Sequence, residues 1–143
     1  MKVLADMVIA EAKRFIGEGK TVILPVNGRS MRPFIIGGKD KVEFAPLPAE
    51  LQPGDVVMAR VKEGYPVVHR IVRIDGDQLT LEGDGNLGFQ EHCHLRDVVA
   101  QGTYVIDGKE RKKSLTSPKA RRNWKIWMRL KPLRSILLKI IRN

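Results

Sequence analysis

The chain has 143 residues, of which 43% are hydrophobic and 29% charged, a balance that suits one folded domain plus an extension and argues against a disordered polyelectrolyte. No apolar run approaches the ~20 residues that a membrane-crossing helix needs. The net charge of +10 is uneven: residues 109–143 hold thirteen Lys or Arg against Glu110 alone, so the basicity belongs to the C-terminal segment and says nothing of nucleic acid for the rest.

In chain order, Leu4, Met7, Val8, Ala12, Phe15 and Ile16 recur at helical spacing and Gly17 and Gly19 stop them, which predicts an amphipathic helix over 3–16. Asp6 and Glu11 interrupt the apolar run that a cleavable signal peptide requires, so a cytoplasmic chain is expected. "TVILPV", "KVEF", "DVVMARV", "PVVHRIVRI", "QLTLEG" and "RDVVAQGTYVI" are short, rich in β-branched residues and divided by Gly, Pro and Asp, the pattern of a compact β domain over residues 1–108. Residues 109–143 read as a second part. "KERKKSLTSPKARR" has the composition of a solvated linker, and "NWKIWMRLKPLRSILLKIIRN" that of one or two basic amphipathic helices divided at Pro132. Cys93 is the single cysteine, which precludes an internal disulfide and agrees with a reducing compartment.

"VNGRSMRPFIIGG" places Ser30 in a probable turn after a short strand. A hydroxyl attacks at neutral pH only when a base takes its proton. His69, in "YPVVHRIVRIDGD", alternates onto one strand face with Val67 and Ile71. Apolar neighbours desolvate an imidazole and hold it neutral, the state a general base requires, although a core histidine bonded to a carbonyl fits the same pattern. Asp84, in "LTLEGDGNLGF", sits in a turn that either presents a carboxylate to the imidazole or is simply a β-turn. Lys41 and Lys62 lie among charged and turn residues, where the desolvation that would make a lysine a base is not expected. "EHCH" invites a metal reading, yet alternation puts His92 and His94 on one face and Cys93 on the other, so neither a metal nor another cofactor is expected.

The blocks "GRSMRPFIIGGKDKVEF", "LQPGDVVMARV", "VVHRIVRI", "LEGDGN" and "VVAQG", in that order over residues 21–106, resemble the serine peptidases that include type I signal peptidases and LexA-type self-cleaving repressors. The resemblance implies a compact, mostly β domain of that kind, here with an N-terminal amphipathic helix and a C-terminal basic helical tail. It implies Ser30 as nucleophile and His69 as general base, since "VVHRIV" is similar to the archaeal and endoplasmic-reticulum branch, where histidine replaces the lysine of other members. Asp84 matches that branch's aspartate, the imidazole's orienter. The pattern departs at Gly28, where many members carry a serine that helps bind the oxyanion, leaving backbone N–H groups such as that of Ser30 for this role. It departs again after the Gly-Asp-Asn block, where the branch has a second aspartate and this chain has "LGFQEH", with Gln90 and Glu91 nearby, which leaves the third member of the triad open between Asp84 and another acid. Neither an N-terminal membrane anchor nor a helix-turn-helix is apparent.

The expected function is a serine endopeptidase that cleaves an extended peptide or leader segment by Ser–His acyl transfer. The alternative is a non-catalytic relative that binds peptide, membrane or nucleic acid through its tail. Residues 119–143, with Trp124, Trp127, Met128, Leu130, Leu133, Ile136, Leu137, Ile140 and Ile141 among Lys and Arg, suit an anionic membrane surface, which would place the protein peripherally on the inner face. Docking of the tail on the β domain competes with this, and nucleic acid is the least favoured partner.

Overall fold

A computed structural model describes residues 2–62 and 64–140, the side chains of residues 2–6 and 131 excepted; the expectations for the Leu4 side chain and for Ile141 lie outside the described residues. Helix α1 (Lys2–Gly17) forms where the apolar spacing predicted it and packs Ile9, Ala12 and Ile16 on the core. Eight antiparallel strands follow: β1 (Val22–Pro25), β2 (Lys41–Ala45), β3 (Val56–Arg60), β4 (Pro66–Asp75), β5 (Gln78–Glu82), β6 (Gln90–His94), β7 (Val98–Ile106) and β8 (Lys112–Ser114). They pair in the order β1-β2-β7-β3-β4-β5-β6, and β8 lies beside β7.

The continuous apolar run of β3 is explained by its place in the sheet, because both of its faces are covered. Val56 and Met58 join Val42, Phe44, Ala100 and Val105 on one side, while Val57 and Ala59 join Ile71, Leu79, Leu81 and Cys93 on the other. This second face matters for the site, since strand pairing carries it across from β4 to β6. Ile71 lies opposite Leu81, and Leu81 lies opposite Glu91.

Past Gly108 the structure differs from the expected solvated linker and separate tail. Strand β8 takes up the edge of β7 at Tyr104–Ile106, beyond the stretch that β3 occupies. The gain is backbone hydrogen bonding, which a Lys-rich composition does not reveal, with Lys112 also 3.2 Å from Glu43 and over the Tyr104 ring. Ser117 then caps α2 (Pro118–Arg129) by accepting the Ala120 N–H at 3.1 Å. Both tryptophans of α2 turn inward: Trp124 and Trp127 are 8% and 5% exposed. Arg121 pairs with buried Asp55 at 2.8 Å. After a 3₁₀ turn, α3 (Arg134–Ile140) is fastened by Arg134, whose guanidinium lies 3.6 Å from the Glu82 carboxylate. The segment therefore docks on the sheet, and its buried tryptophans are not available to a membrane. Among the described residues no helix is long and apolar enough to cross one.

Candidate active site

Ser30 stands in the turn that joins β1 to β2. The turn is pinned by buried Met31 and Ile35, and the Met31 carbonyl accepts the N–H groups of Phe34 and Ile35 at 3.1 and 3.0 Å. Gly28, two residues before Ser30, has φ +84°, a left-handed conformation that a serine would adopt only under strain. That conformation gives a physical reason for glycine at this position. Among the described residues the Ser30 N–H donates to no backbone acceptor.

The Ser30 hydroxyl oxygen lies 3.0 Å from His69 Nε2. On the other side of the ring, Nδ1 lies 2.5 Å from Glu91 Oε1, and the second Glu91 oxygen accepts the Tyr65 hydroxyl at 3.1 Å. His69 and Glu91 are 6% and 4% exposed. A carboxylate at Nδ1 accepts a hydrogen bond from an Nδ1–H and so leaves Nε2 unprotonated, free to accept from the serine hydroxyl. The arrangement sets a hydroxyl, an imidazole and a carboxylate in one hydrogen-bonded line, the geometry that a nucleophile, a base and an orienter require.

The carboxylate at the imidazole is Glu91, not Asp84, and strand parity explains why. His69 and Arg70 are consecutive on β4 and point to opposite faces. Arg70 lies opposite Glu82, and Asp84, two residues further, emerges on Arg70's side. Glu91 lies on the His69 side, because the Ile71, Leu81 and Glu91 ladder runs along that face.

Asp84 instead accepts hydrogen bonds from two of the three guanidinium nitrogens of Arg70, Nη2 at 2.6 Å and Nε at 3.2 Å. Burial pushes its carboxyl pKa up and the guanidinium opposes that rise. Arg70 also donates to the Gly54 carbonyl at 3.0 Å and lies against the rings of Phe34 and Trp124. The Asp84 turn still supports Ser30 through its backbone. Gly85 N–H donates to the Ser30 carbonyl at 2.8 Å, and the Trp127 indole donates to the Asp84 carbonyl at 2.8 Å. At Gly83 a side chain would place its Cβ 2.3 Å from the Ser30 carbonyl oxygen, so only glycine permits this approach.

The other candidates fall elsewhere. Lys41 and Lys62 are exposed and line no part of the cleft at Ser30. Cys93 is fully buried, and burial pushes its thiol up to about 11. His94 caps the following 3₁₀ turn by accepting the Arg96 N–H, while His92 faces Thr80. Among the described residues no group of His, Cys, Asp and Glu gathers as a metal would need.

A cleft of about 550 Å³ opens over Ser30, His69 and Glu91, bounded by residues 25–28 on one side and 65–68 on the other. It shares residues 25–27 and 66–68 with an apolar hollow of about 660 Å³ that Phe44, Met58 and Ile9 of α1 also line. No protein-family model, curated protein or solved structure matches this chain. The functional reading therefore rests on the geometry and on the order of the motifs.

Proposed function

We propose that the chain is a serine endopeptidase with a signal-peptidase/LexA-like fold, using Ser30 as nucleophile, His69 as general base and Glu91 as the residue that orients His69. The observation that carries this reading is the line from half-buried Ser30 to buried His69 and Glu91, at 3.0 and 2.5 Å, opening onto a cleft. In the acylation step Nε2 takes the hydroxyl proton while Oγ forms a bond to the substrate's carbonyl carbon. Negative charge moves to the carbonyl oxygen, which the Ser30 N–H meets. Collapse breaks the peptide bond, the imidazolium returns its proton to the leaving amine, and water then cleaves the ester by the same route. Glu91 stabilises the imidazolium formed in both halves.

The substrate is an extended segment. β1 is the terminal strand of the sheet, and residues 66–69 of β4 extend past the part that β5 pairs. Both stretches border the cleft, so a strand laid between them gains main-chain hydrogen bonds and drops alternate side chains into the apolar hollow.

The test is a fluorophosphonate probe with mass-spectrometric mapping. Covalent labelling at Ser30, abolished in a folded Ser30→Ala variant, is the expected result. A native chain that leaves Ser30 unmodified while other serines react to the same low extent overturns the proposal.

A further inference from the structure

From Arg111 to Ile140 the sequence contains no acidic residue. Four of its cations are spent inside the molecule, on Asp107, Glu43, Asp55 and Glu82. Lys119, Arg122, Lys125, Arg129 and Lys139 form no ion pair among the described residues. Between them stand aliphatic side chains that the fold leaves outside: Ile126 is 49% exposed, Leu133 50%, Ile136 55% and Ile140 67%. Trp127 of α2 and Arg134 of α3 are buried, whereas Ile126 of α2, Leu133 of the 3₁₀ turn and Ile136 and Ile140 of α3 are not. The docked tryptophans and the Arg134 pair thus hold this cationic and aliphatic face outward.

We propose that the outer face of α2 and α3 docks on an anionic lipid bilayer, lying in the interface with its aliphatic residues among the acyl chains and its Lys and Arg at the headgroups. Charge complementarity names an anionic partner, and the aliphatic residues separate lipid from nucleic acid. Phosphates alone would leave Ile126, Leu133, Ile136 and Ile140 in water. Base stacking needs exposed aromatic rings, whereas the two tryptophans of α2 are buried and Trp127 is held by the Asp84 carbonyl. The surface is separate from the Ser30 cleft, and the inference stands whether or not the chain cleaves peptides.

The experiment is vesicle flotation of the full chain, because a truncation would remove the buried tryptophans and confound folding with binding. Vesicles of phosphatidylcholine alone are compared with vesicles of equal parts phosphatidylcholine and phosphatidylglycerol. The chain is expected to float with the anionic vesicles only and to be released by salt. The Ile136→Glu/Ile140→Glu variant, with an unchanged circular dichroism spectrum and melting temperature, is expected to lose roughly tenfold or more of its partitioning. Three results overturn the proposal: no flotation of the native chain; equal flotation of the variant, which means charge attraction without insertion; or a lipid-free dimer that the variant abolishes, which means a second copy covers the face.

Discussion

Replacing Glu91 by glutamine keeps the shape of the side chain and removes its charge, so it isolates what the carboxylate does for His69. One Glu91 oxygen accepts from Tyr65 at 3.1 Å and the other lies 2.5 Å from Nδ1. In the amide, the oxygen stays with the tyrosine hydroxyl and the NH2 group turns to Nδ1. Nδ1 must then accept, which moves the ring proton to Nε2, 3.0 Å from the Ser30 oxygen whose proton it takes in the proposed reaction. The base is blocked by its own tautomer. The equivalent replacement in a Ser-His-Asp triad loses about 10⁴-fold in rate, which is about 5.4 kcal/mol at 1.36 per decade. The loss of one charge-assisted hydrogen bond costs only about 1.5–3 kcal/mol of stability, so the variant remains folded. The assay is the second-order rate of fluorophosphonate labelling at Ser30, with the melting temperature measured on the same samples. A Glu91→Gln variant that labels within a few-fold of the native rate refutes the tautomer argument and the role given to Glu91.

Asp84→Asn is expected to do the reverse. It leaves the buried Arg70 guanidinium half-paired, at a cost on the order of 3–5 kcal/mol of stability, with the labelling rate per folded molecule within a few-fold of native; a rate loss as large as that of Glu91→Gln, at unchanged stability, would return Asp84 to the imidazole. Gly83→Ala forces its Cβ against the Ser30 carbonyl oxygen, 2.3 Å away, so labelling should fall by orders of magnitude while strands remote from the turn keep their hydrogen-exchange protection; native labelling would show that the turn gives way freely. Cys93 should react with thiol reagents only when the fold opens, and prompt labelling in native buffer would contradict its burial. Because its folded thiol titrates at about 11 against an ordinary value of 9.0, the folded state holds the proton longer. Its contribution to stability therefore falls as pH rises through that window, and Cys93→Ala should flatten the pH dependence of the melting temperature there.

Helix α1 and six of the strands are legible because their apolar residues recur at the helical or the strand period. β6 and β8 are not: "QEHCH" and "KKS" carry no β-branched residue, and what recruits them is a vacant strand edge that exists only once β5 and β7 are in place. Ser30 and His69 are legible from type and context, 39 residues apart. The carboxylate is not, because the face on which an acid emerges depends on register across β4, β5 and β6, and chain order does not encode register. The same blindness affects the tail, where composition does not distinguish Trp127, which closes the Asp84 turn, from Ile126, which faces outward.

The two carboxylates on opposite faces of this sheet also differ in a way that suits their tasks. Asp84 faces a fixed guanidinium, so its charge is neutralised where it sits and it acts as a support for the turn beneath Ser30. Among the described residues Glu91 has no Lys or Arg partner; its oxygens meet only His69 and the Tyr65 hydroxyl. A buried carboxylate without a cation is costly to fold, and such groups concentrate where chemistry uses them. In the proposed reaction the missing cation is the imidazolium that forms when His69 takes the serine proton, so the Glu91 carboxylate would gain its partner as that reaction proceeds.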